Sequence, residues 1–100
     1  LTATGLRSRE ELAAALAKAR VLAGQALTRT PGWGPVIVIA RQLAAVDAWT
    51  ADGGTPDSEQ RRRLSIGLIA ARELPPGNPL APLCHRIQHF VQASPLAPGA

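Results

Sequence analysis

Tyrosine is absent from this chain of 100 residues, phenylalanine occurs once and cysteine once. A single cysteine excludes an intramolecular disulfide framework, so nothing calls for an oxidising compartment. With aromatics at 3% and few β-branched residues outside the run Val36-Ile37-Val38-Ile39, the composition favours helix over sheet. No apolar run approaches the roughly 18 residues of a membrane-spanning helix. The first residues also lack the basic and then apolar pattern of a signal peptide. Glycine-rich phosphate loops, catalytic triads and paired carboxylates are missing too, so the sequence reads as a non-enzyme with no cofactor.

What is present is a chain that is 46% hydrophobic and long enough to bury roughly 60–70% of the surface its unfolded form exposes. One domain is expected, over residues 1–93, followed by a disordered tail at 94–100 of Ser, Pro, Leu, Ala and Gly. The formal charge of +4 and pI near 11.1 suit an acidic partner without naming it.

The pattern along the chain predicts an all-α fold, a small four-helix bundle with helices over Ser8–Thr30, Pro35–Thr50, Pro56–Glu73 and Pro79–Ala93. Ser8-Arg9-Glu10-Glu11 has the form of a capping box, with the Ser8 hydroxyl accepting the Glu11 amide and the Glu11 carboxylate reaching back to the Ser8 amide. Leu12, Leu16, Ala19, Ala23 and Ala26 then make one apolar face, flanked by Leu22 and Leu27. The corner Pro31-Gly32-Trp33-Gly34-Pro35 breaks the chain, and Pro35 opens a second helix. Val36–Ile39 reads locally as a strand but runs without interruption into a helical pattern, so helix is preferred. Its core face is Val36, Ile39, Leu43 and Val46.

Ala51-Asp52-Gly53-Gly54 reads as a flexible connection, and Thr55-Pro56-Asp57 as the cap of the third helix. In that helix Arg61–Leu74 is apolar on two sides, with Leu64, Gly67, Leu68 and Ala71 on one face and Ile66 and Ala70 nearly opposite. This predicts a central helix covered on most of its circumference. Gly67 within it implies close approach by another backbone. Asn78-Pro79 repeats the cap-then-proline signal and opens a helix carrying Leu80, Leu83, Ile87 and Val91.

Two clusters raise the question of chemistry. His85 and His89 share a helical face, as two zinc ligands must, but Cys84 points elsewhere and no carboxylate completes a site. The expectation is therefore that no metal is bound and that these are surface histidines beside a buried thiol. Adjacent Cys84 and His85 diverge by about 100°, which also excludes a catalytic pair. Arg61-Arg62-Arg63 is the second cluster. Three consecutive arginines fan around a helix and have no interleaved aromatics to stack on bases, so a solvated helix end or ion pairs to a protein stand against nucleic-acid binding.

Several features occur together in order: Pro31-Gly32-Trp33 after the first helix, Gln42-Leu43 in the second, Arg63-Leu64-Ser65-Ile66-Gly67-Leu68-Ile69-Ala70-Ala71-Arg72-Glu73 in the third, and Asn78-Pro79 before the last. This resembles the small helical immunity proteins of type VI secretion systems that neutralise an NAD(P)-hydrolysing effector toxin, over about Leu12 to Val91. The sequence departs from that family in Trp33 where tyrosine is usual, in His89-Phe90 where an aromatic pair is usual, and in the Gly53-Gly54 loop. The resemblance implies a cytoplasmic protein made beside its toxin, which binds the toxin domain and occludes its active site as a monomer in a heterodimer. No nucleic acid, membrane or cofactor is implied. A basic nucleic-acid-binding protein and a structural helical adaptor are the alternatives.

The second helix indicates where a partner would bind. Its core stripe leaves Val38, Ala45 and Trp49 on a second stripe, with Gln42 and Arg41 beside it. The candidate toxin interface is therefore Trp33, Val38, Arg41, Gln42, Ala45, Trp49 and Asp52. The alternative for Trp49 is that it caps the bundle end above Gly53-Gly54.

Overall fold

The computed structural model of the chain describes residues 6–93, so the expected tail at 94–100 lies outside the described residues. Helix α1 covers Arg9–Arg29. Ser8 caps it by accepting the Glu11 amide at 3.1 Å. The returning bond differs from the expected box, because the Glu11 carboxylate accepts the amide of Arg7, one residue earlier, at 2.7 Å. The face that α1 buries is Leu12, Ala15, Leu16, Ala19 and Ala23, while Leu22, Ala26 and Leu27 pack half-buried at its edge.

Helix α2 covers Gly34–Thr50, with Trp33 as its N-cap residue and Pro35 in the first turn. The β-branched run is helical throughout. Val36, Ile39, Leu43 and Val46 are each fully buried, a spacing of three and four that only a helix turns to one side. At its end, Ala51–Gly53 forms one 3-10 turn, and this connection is tied down where a flexible link was expected. The Arg9 guanidinium donates to the carbonyls of Thr50 and Gly53, at 3.4 and 3.0 Å. Gly54 sits so close that a Cβ built on it would lie 2.6 Å from the Trp49 carbonyl oxygen.

The third helix is not continuous. It consists of α3, Ser58–Arg63, and α4, Ile66–Glu73, separated by Leu64 in extended conformation (φ −70°, ψ 124°). Its start is also later than expected: Asp57, rather than Thr55, is the N-cap, in a reciprocal box with Gln60. The break has a packing cause. Residues two apart on an unbroken helix point about 200° apart, yet Leu64 and Ile66 are both buried in the same core. The non-helical backbone of Leu64, which is extended, and of Ser65 (φ −133°, ψ 13°) turns both inward. Past the break, α4 buries Ile66, Gly67 and Ala70, while Leu68 is 51% exposed and Ala71 is exposed, so one of the two apolar sides expected to be covered lies largely open.

Helix α5, Leu80–Ala93, completes the bundle. The Asn78 side chain accepts the Leu80 amide at 2.9 Å. Pro82 fits in the first turn, where amide hydrogens have no intrahelical partner. Helix α1 packs on α2 and α5, and α4 packs on the same two, which closes a four-sided ring. No helix is central, so α4 is one side of the ring and not its axis. The described residues contain no strand, and the fold is an all-α four-helix bundle with one side in two pieces.

Candidate binding surface

Three glutamines hold the break between α3 and α4, and they decide which polar side chains remain free for a partner. Gln42 on α2 uses both amide atoms on one residue: its Oε1 accepts the Ser65 amide at 2.8 Å and its Nε2 donates to the Ser65 hydroxyl at 2.9 Å. Gln88 on α5 accepts the Gly67 amide at 2.6 Å, one of the amides that the first turn of α4 leaves without a partner. Gln92 donates to the carbonyls of Arg61 and Leu64, at 3.1 and 3.2 Å, serving the last turn of α3. The expected close neighbour of Gly67 is therefore the Gln88 side chain, whose Oε1 would be 3.1 Å from an added Cβ. A second backbone does not approach there.

The stripe proposed on α2 divides accordingly. Gln42 is committed to Ser65, which places the stripe on the α4 side of α2. Val38 is 40% exposed. Arg41 is exposed and forms no ion pair with any described residue. Ala45 and Trp49 are half-buried, and Trp49 packs against the core. Trp33, also half-buried against the core, and the exposed Asp52 sit beyond opposite ends of α2, a helix roughly 25 Å long at 1.5 Å per residue. Val38, Arg41 and Ala45 thus share one strip, with Trp49 behind its far end. Trp33 and Asp52 are not brought to it.

Cys84 is buried in the core, and burial raises its thiol from the ordinary 9.0 to about 12. A protonated buried thiol is neither nucleophile nor metal ligand. His85 and His89 are exposed beside it, and no group of three or more His, Cys, Asp or Glu among the described residues is placed to hold a metal ion. Of the arginine run, Arg62 and Arg63 both reach the Glu59 carboxylate, at 2.9 and 3.1 Å, and Arg61 donates to the Pro56 carbonyl at 3.5 Å. These pairs are exposed and contribute little to stability. The single Glu59 carboxylate offsets part of the charge of the run.

A groove of about 390 Å³ between α4 and α5, lined by Gly67, Leu68, Ala71, His85, Gln88, His89 and Gln92, was missed by sequence reasoning. The spacing of His85 and His89 had marked one wall. The other wall was misplaced, because Leu68 and Ala71 were expected to be covered as one of the two apolar sides of a central helix.

Among the described residues no helix is long and apolar enough to cross a membrane. No curated protein and no solved structure matches the chain. Residues 7–91 match the model of the Tsi6 family, nearly the span over which the sequence resembled the type VI immunity proteins. The chain belongs to the Tsi6 family of type VI secretion immunity proteins.

Proposed function

We propose that this chain binds the toxin domain of the effector encoded beside it and blocks that domain's active site, acting in the cytoplasm as one partner of a heterodimer. The observation that carries the reading is the family match over residues 7–91. The toxin on this reading is one that hydrolyses NAD(P), as the family resemblance carried by the motifs from Pro31 to Asn78 implies. The surface offered is the strip of Val38, Arg41 and Ala45 on α2, an arginine set among small apolar side chains. Arginine is among the residue types that dominate interface energetics, and the strip has no internal partner for its charge.

Co-expression tests the reading. Cells producing the toxin domain of the adjoining effector should lose NAD(P) and stop growing, and production of this chain should restore both. Continued NAD(P) loss in cells with abundant folded chain would contradict it. A nucleic-acid role predicts instead that affinity for DNA or RNA falls steeply with salt. The pairing of Arg62 and Arg63 with Glu59 speaks against that.

A further inference from the structure

The groove between α4 and α5 continues beyond Ala71 and His85 into a second one of about 430 Å³ that runs to the Pro75–Pro79 turn. No Asp, Glu, Lys or Arg lines either part. In a chain that is 18% Asp, Glu, Lys and Arg, this long trough holds none of them. Charges begin at its rims. On α4, Arg72 lies about 100° around from Ala71, one turn after the exposed Leu68, and Glu73 is turned a further 100° away. On α5, Arg86 lies about 100° around from His85, on the side of His89. Both arginines are exposed and neither pairs with a carboxylate of the described residues.

We propose that this trough receives an apolar segment of the effector toxin flanked by carboxylates, with the apolar part over Ala71 between Leu68 and His89 and the carboxylates on Arg72 and Arg86. The proposal rests on the toxin-binding reading and names the surface and the chemistry of the partner. Charge decides the occupant. A charged group in the trough would be desolvated with no opposite charge to meet it, whereas charge-depleted centres with polar rims are the usual anatomy of protein interfaces. Size points the same way. A stable interface engages about 20–30 residues a side, far more than the α2 strip offers. Toward α1 the surface carries the exposed Arg20–Asp47 ion pair, whereas across α4 it leads to the trough without Asp, Glu, Lys or Arg.

The test titrates the purified toxin domain of the adjoining effector against the full chain and three variants, with a melting curve for each. Ala71→Trp fills the trough, Arg72→Glu with Arg86→Glu reverses its rims, and Val21→Asp on the exposed outer face of α1 is the control. The expected result is binding at least about 30-fold weaker for Ala71→Trp and about 10-fold weaker for the double reversal. The loss in the double reversal should shrink as salt rises, and Val21→Asp should match the parent. Parent-like affinity in both trough variants would overturn the proposal while leaving the toxin reading intact. Failure of the parent chain to bind would overturn both. Should Ala71→Trp fail to fold, the double reversal at two exposed positions decides alone.

Discussion

At Cys84 the physical consequence of burial is a thiol that holds its proton to about pH 12, against 9.0 in an unfolded chain. The sign follows from the order of ionisation. Between those values the unfolded state has lost the proton and the folded state has kept it, so the stabilisation is fully present below pH 9.0 and is lost as pH rises toward 12. Stability should fall above about pH 9 by up to about 1.4 kcal/mol per pH unit. Urea unfolding from pH 8 to 10.5 checks this: Cys84→Ala should lose the steep part of the decline, and an identical slope in the variant would assign it to other groups. Gly54 carries a second single-residue effect. Its missing Cβ leaves room for the Trp49 carbonyl oxygen, 2.6 Å from where that atom would stand, so Gly54→Ala should cost about 1–3 kcal/mol in the same assay. A neutral result would show that the corner relaxes freely.

The interruption between α3 and α4 shows what a sequence conceals at the level of an element. Arg63-Leu64-Ser65-Ile66 contains no proline or glycine, and its local propensities are compatible with continuous helix. The break is imposed from a distance, by burial of both Leu64 and Ile66 and by Gln42, which lies 23 residues away in sequence. By contrast, Val36, Ile39, Leu43 and Val46 were legible as a core stripe, because helical period and burial agree there. Ser8 was legible as a cap because its bond is local, whereas the partner of Glu11 slipped by one residue. If Gln88 caps α4, Gln88→Ala leaves the Gly67 amide unpaired and should destabilise the protein by about 1–3 kcal/mol. Gly67→Leu should cost a similar amount by displacing that side chain. Hydrogen exchange separates these effects from general loosening: in Gln88→Ala the first turn of α4 should exchange faster while α1 and α2 keep their protection. Uniform acceleration would mean that the bond has no local role.

For the whole molecule, the all-α four-helix bundle was readable, though not its arrangement as a ring, and so was the type VI immunity family. The surface was read less well. Stripe counting on α2 picked out Val38 and Arg41, which are exposed, and Ala45, which is half-buried, but also drew in Gln42, which the fold uses internally, and Trp49, which packs on the core. On the third helix both apolar sides were expected to be covered, Leu68 and Ala71 included, so the trough they line with α5 could not be seen. A truncation at Trp49 therefore mixes stability with binding. Val38→Asp and Arg41→Ala, at exposed positions, are the cleaner probes, each expected to weaken toxin binding by about 10-fold or more with the melting curve unchanged. The most direct test of toxin neutralisation is the rate of NAD(P) hydrolysis by the purified toxin domain as this chain is added in steps. Hydrolysis should fall linearly and stop at one chain per toxin. A rate that remains undiminished with the chain in excess would contradict neutralisation by binding.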